Sequence, residues 1–128
     1  MMLAVLLLFA TSAVEHYNRA NTYFSQQQFQ QAADEVEAAL QVDPKLVPAL
    51  TLKAKLAMAL NKFDVARACL QSAASIEPDS AYVQFLLGFF YYVDNDFAKS
   101  IPALERARTL NPGDIRAHFY LALAFEGI

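Results

Sequence analysis

Residues 77–112, EPDSAYVQFLLGFFYYVDNDFAKSIPALERARTLNP, begin and end on the same punctuation: an acidic or polar residue followed by proline. Asp43-Pro44 is a third dipeptide of this kind, and the interval from position 44 to 78 equals that from 78 to 112. Proline removes a backbone donor and pushes the residue before it away from the α region, so each dipeptide separates two helical segments. Between the last two prolines, the apolar run from Ala81 to Val93 is parted from the segment after Phe97 by Asp94-Asn95-Asp96. Those polar side chains suit a turn and a helix N-terminus. The unit is therefore two helices, a turn and a proline boundary.

Other columns keep the period. Phe29, Phe63 and Phe97 recur in step, as do Ala20, Ala54, Gly88 and Ala122. So do Ala39, Ala73 and Ala107, and the branched set Val42, Ile76 and Leu110. Small residues recurring at one place allow two helices to approach closely. Four columns in register with three prolines mark a repeat array.

Composition excludes several classes. The 128 residues are 56% hydrophobic and 18% charged, which rules against disorder and supplies a core. A net charge of −3 leaves no electrostatic footprint for nucleic acid. Glycine is scarce and no hairpin dipeptide is present, which disfavours an all-β fold. With Cys69 the sole cysteine, an internal disulfide and a cysteine-rich metal site are both excluded. Cys69 is read as a small packing residue.

Residues 1–13 are an apolar run closing on Thr11-Ser12-Ala13, with small residues suited to a cut after Ala13. The run has the length of a signal-peptide core and is too short to span a bilayer, though no Lys or Arg precedes it. Export to the periplasm or the extracellular space follows from that reading. Two alternatives stand beside it: an apolar leader packed on the first repeat, and the clipped end of a membrane anchor.

The chain then divides into repeat 1 over 14–46, repeat 2 over 47–80, repeat 3 over 81–114 and a terminal helix over 115–128. The first helix is expected from about Val14 to Ser25, with a turn through the glutamine run that follows. Its partner buries Phe29, Ala32, Val36, Ala39 and Leu40 and turns Asp34, Glu35 and Glu37 outward. In repeat 2, Pro48 suits a helix start and Leu52, Leu56 and Leu60 form a stripe. Phe63, Ala66, Leu70 and Ala73 face inward from the next helix. The apolar helix after Ser80 is expected to be buried on more than one side. Pro102 should bend the helix that contains it. In the terminal helix, Phe119, Leu121, Leu123, Phe125 and Ile128 form an apolar edge that favours self-association or a partner chain.

The pattern closely resembles the tetratricopeptide repeat. Leu87-Gly88, Tyr91, Phe97, Ala107 and Pro112 carry it best, with Ala20, Tyr23, Ala32, Ala39 and Pro44, and Ala54, Ala66, Ala73 and Pro78, in the earlier repeats. Arg19 and Lys53 stand where the family usually has leucine, and their aliphatic stems can pack while the charges reach outward. The resemblance implies an all-α, right-handed solenoid of helix-turn-helix repeats. It also implies a protein-interaction scaffold with no catalysis and no cofactor.

On that resemblance the first helix of each repeat lines a concave groove. Tyr17, Asn21 and Phe24 would line it from repeat 1, beside Asn18, and Leu52 from repeat 2, beside Thr51, Lys55 and Met58. Tyr82, Phe85, Phe89 and Tyr92 follow from repeat 3, beside Leu86, and Phe119 and Tyr120 from the terminal helix, beside Arg116 and Leu123. Such a groove could hold a protein or peptide segment by burying large side chains. Ordinary packing between repeats is the alternative for the same aromatics. Members that bind acidic chaperone tails use a clamp of basic and asparagine side chains, of which Asn21 alone has a match. Tyr17, Leu52, Tyr82 and Leu86 fill the other places, so that ligand is not expected.

Catalysis is a poor fit, because His16 and His118 have no acid or nucleophile at informative spacing. No glycine-rich phosphate loop or histidine-glutamate metal motif occurs. A second reading makes the chain a self-assembly module, or an accessory domain of a larger protein, joined through residues 115–128.

Overall fold

A computed structural model describes the backbone of residues 2–128 and the side chains of residues 12–128. Seven helices succeed one another among them: α1 Met2–Ser25, α2 Phe29–Val42, α3 Val47–Ala59, α4 Phe63–Ile76, α5 Ala81–Val93, α6 Phe97–Leu110 and α7 Ile115–Glu126. No strand occurs among the described residues. The helices form two compact units, Met1–Lys62 and Phe63–Ile128.

Each of the three periodic prolines is the second residue of a four-residue turn. Leu46 N–H donates to the Asp43 carbonyl at 3.2 Å, Ser80 N–H to Glu77 at 3.3 Å and Asp114 N–H to Asn111 at 3.1 Å. A fixed φ suits proline to that place in a β-turn, so it links two helices as well as separating them.

The shorter turns share a second device. Gln27, Asn61 and Asn95, one in each repeat and in step with the prolines, adopt φ near 60°. The amide after each reaches back five residues, as Gln28 to the Tyr23 carbonyl at 2.9 Å, Lys62 to Ala57 at 2.7 Å and Asp96 to Tyr91 at 2.8 Å. Each left-handed residue itself donates three residues back, which completes a Schellman cap on α1, α3 and α5. Asp96 Oδ1 then accepts from the Lys99 amide to cap α6.

In the first unit, Ala20, Ala32, Val36, Leu52 and Leu56 form a closed core with Tyr17, Tyr23, Phe24, Phe29 and Leu40 packed around it. In the second, α5 is buried on several sides, through Val83, Phe85, Leu86, Gly88, Phe90 and Tyr91. Close approach explains Gly88: a Cβ there would lie 2.6 Å from Leu104 Cγ. The Ser100 hydroxyl donates to the Gly88 carbonyl at 2.8 Å, fastening α6 to α5. Cys69 is buried in α4.

Several expectations change. Helix α1 begins at Met2 and not near Val14, since the run before Val14 holds strong helix formers and no breaker. The export-leader reading of 1–13 falls almost wholly on side chains outside the described residues. Leu60 is the C-cap of α3 and is exposed, so the stripe ends at Leu56. Leu121 is buried and Leu123 half-buried, leaving Phe119 and Phe125 exposed on α7 and Ile128 exposed just beyond its end. Glu35 is only half-exposed and points to α1, and Glu37 pairs with Lys53 Nζ at 2.7 Å. Pro102 lies inside α6 as expected, and the helix continues past it to Leu110. Among the described residues no helix is long and apolar enough to cross a membrane.

Candidate functional site

The residues expected to line a groove fall into two groups, one in each unit. In the first unit Leu52 is 2% exposed and belongs to the core, with Tyr17 and Phe24 half-buried against it. Phe24 lies 5.7 Å from Phe29 between ring centroids, and Lys55 Nζ sits 5.3 Å over the Phe24 ring. Asn21 and Asn18 are exposed on α1. This surface is mixed in polarity.

In the second unit α5 and α7 bring five of the residues together. Tyr120 is the hub: its ring lies 6.0 Å from Phe85, 5.0 Å from Phe89, 5.4 Å from Tyr92 and 5.1 Å from Phe119. Three of those contacts are edge-on, the arrangement that matches a ring's positive rim to its neighbour's negative face. Phe85 is 5% exposed and stacks on Phe89 at 6.1 Å, forming the floor. Phe89, Tyr92 and Tyr120 are half-buried, whereas Tyr82 and Phe119 are exposed. Phe97 supports Tyr92 from α6 at 5.8 Å. Gly127 lets the end of α7 close over Phe97, since a Cβ there would lie 2.6 Å from that ring.

Charge at this surface is internally satisfied. Asp114 caps α7 by accepting from the Arg116 amide at 3.0 Å. Its carboxylate also grips the Arg116 guanidinium through two bonds, at 3.1 and 3.0 Å. That pairing holds the Asp114 carboxyl below its ordinary range and pushes Arg116 up. The guanidinium lies against Phe85, 4.5 Å from the ring centre. Buried area and ring faces are what such a surface offers a ligand.

A second constellation escaped sequence reasoning. His16 Nδ1 lies 2.6 Å from Glu35 Oε2, and Arg19 Nε lies 3.3 Å from Glu35 Oε1. The His16 hydrogen bond, aided by Arg19, holds the Glu35 carboxyl below its ordinary value. Nothing local signals a pair 19 residues apart. Only Glu35 being one column from the buried Val36 hinted that it could face α1. Among the described residues no group of three or more potential ligands could hold a metal ion.

The tetratricopeptide repeat model matches residues 23–88, and a second model of the same description matches residues 91–127. No curated protein matches the chain. Among solved structures the chain is similar to the first TPR domain of Spaghetti (RPAP3), solved bound to an HSP90 peptide. That match has a TM-score of 0.87 at 20% identity, covering 91% of this chain and 93% of that one. It is also similar to the TPR domain of Arabidopsis OM64, with a TM-score of 0.88 at 13% identity and coverage of 94% and 99%. YrrB, described as a TPR protein with an unusual peptide-binding site, gives 0.80 at 20% identity over 88% of this chain and 58% of that one. At these identities the likeness establishes an all-α fold of helix-turn-helix repeats. With family models matching most of its length, the chain belongs to the tetratricopeptide repeat family.

Proposed function

We propose that the chain is a non-catalytic interaction scaffold that holds a partner's peptide segment against the aromatic surface of its second unit. The observation that carries this is Tyr120, which gathers Phe85, Phe89, Tyr92 and Phe119 around one ring. Half-buried aromatic rings on a rigid floor contribute large contact area at little entropic cost, and tyrosine hydroxyls supply polar handles. Because Arg116 is already paired with Asp114, the surface favours an apolar or weakly polar segment over an acidic one. Peptide ligands in the printed descriptions of Spaghetti and YrrB support the ligand class. An acidic chaperone tail is not the ligand proposed, since Tyr17, Leu52, Tyr82 and Leu86 stand where that clamp would need other side chains.

Selection from a displayed peptide library tests the proposal. Phe89→Ala and Tyr92→Asp should each abolish binding of the enriched peptides while circular dichroism stays native. Undiminished binding by both folded variants would place the site elsewhere.

A further inference from the structure

Cations stand over aromatic rings in both units: Lys55 over Phe24, Arg67 over Phe90, Lys99 over Tyr91 and Arg116 over Phe85. The Arg116 guanidinium, 4.5 Å from the Phe85 centre, already shows this contact inside the aromatic cluster of the second unit. Among the described residues no cation stands over Phe89, Tyr92, Phe119 or Tyr120. Phe119 is 56% exposed and stands at 81° to Tyr120, with centroids 5.1 Å apart. The two rings make nearly perpendicular walls, and an open ring face attracts positive charge.

Charge in this unit points the same way. From Phe63 to Ile128 it carries eight carboxylate side chains and five Lys or Arg, whereas the first unit carries five of each. Arg67, Lys99, Arg106 and Arg116 are each paired with an aspartate of the unit. Glu126 has no ion-pair partner among the described residues. It stands one period after Tyr92 and seven residues after Phe119, on the same side of α7. That is about 10 Å along the helix, close to the Debye length at ~0.1 M salt.

We infer that the segment held on the aromatic surface is anchored by an arginine, whose guanidinium stacks on Phe119 and Tyr120 while Glu126 supplies countercharge. This rests on the function proposed above and narrows its ligand to an apolar segment with a basic anchor. Phe85 and Phe89 provide the apolar floor, and the open ring faces with the excess of carboxylates select the side chain laid on them. Arginine is preferred to lysine because its planar, weakly hydrated cation stacks flat on a ring. An acidic anchor would instead meet the unit's own negative charge.

The probe is a displayed library of random peptides, selected on the whole protein, with the tightest sequence then made synthetically. Selection should enrich arginine over its share of the library. Replacing that arginine by citrulline, which keeps the shape and removes the charge, should weaken the synthetic peptide about tenfold or more. Phe119→Leu, at an exposed position, should weaken the arginine peptide about threefold or more and the citrulline peptide less. Glu126→Gln should weaken the arginine peptide about twofold and flatten its salt dependence. Enriched peptides without a basic residue, yet lost on Phe89→Ala, would overturn the inference and leave the proposed function standing. So would an arginine that citrulline replaces without loss, or a peptide indifferent to both Phe119→Leu and Glu126→Gln. No enrichment at all, or enriched peptides that bind Phe89→Ala and Tyr92→Asp undiminished, would bring down both.

Discussion

The seam between α1 and α2 and the seam between α5 and α6 occupy the same register, yet they divide their volume differently. In the first, Ala20 and Val36 are both fully buried in one core. In the second, Gly88 stands in the alanine column and Leu104 in the valine column, with Leu104 fully buried against the glycine. One carbon has moved across the seam. Between these two seams the filled volume is kept, as close packing favours, and not the identity of either residue, whereas the second repeat places Ala54 and Leu70 in the same columns, both fully buried.

The flanks of the two seams differ more sharply. His16, Arg19 and Glu35 make a hydrogen-bonded trio beside the first seam. The same columns in the second unit hold Gln84, Leu87 and Ala103, which line a shallow, mostly apolar cleft. A charged trio and an apolar cleft are thus alternative ways to finish the same helix pair.

Truncating the large partner should break the comparison most. Leu104→Ala should cost about 3–4 kcal/mol in urea unfolding and Val36→Ala about 2 kcal/mol, because more buried carbon is lost from the second seam. Equal costs would show that the neighbours collapse differently around the two sites.

Gly88→Ala comes next. The added methyl meets Leu104 Cγ at 2.6 Å and the Leu104 backbone nitrogen at 3.1 Å. Overpacking of about 1–3 kcal/mol should outweigh a helix-propensity gain of about 1 kcal/mol, for a net loss of about 1–2 kcal/mol. Leu104→Val in the same chain should recover most of that loss by recreating the first seam's division. A double variant no better than the sum of its singles would refute the moved-carbon account.

Glu35→Gln should lower stability by about 0.5–1 kcal/mol at neutral pH, the scale of a partly exposed ion pair. Since the folded-state pKa of Glu35 is depressed, its contribution is complete above the unfolded carboxylate value. The contribution fades as pH falls through the depressed folded value. Stability of the parent and of Glu35→Gln, compared from neutral pH down to about pH 3, should therefore converge on the acid side. A gap that widens on acidification would contradict the sign.

The smallest effect is at the left-handed turns. Gln27→Gly should raise stability by about 0.5–1 kcal/mol and Asn61→Gly by less, because asparagine tolerates positive φ better than glutamine does. Equal gains would remove that distinction.

Much of this architecture was legible from residues alone. Proline, glycine and asparagine act through local backbone sterics, so Pro44, Pro78 and Pro112 announced the boundaries without any knowledge of packing. The helix from Phe29 to Val42 follows from periodicity in the same way. The candidate site was legible only as a roster. Its aromatic columns were visible, but nothing local separates Phe85, a buried floor, from Phe119, exposed in the same column of the next repeat.

The difference lies in the range of the forces. The sequence by itself determined the period, the turns, the helix spans after α1 and the family, because each depends on neighbours within about one repeat. Tertiary structure alone decided that Glu35 turns toward His16 and that Tyr120 gathers four rings. It also decided that Leu104 fills the space Gly88 leaves. Those outcomes depend on which helix packs over which, and a side chain's surroundings are set by that contact rather than by its neighbours in the chain.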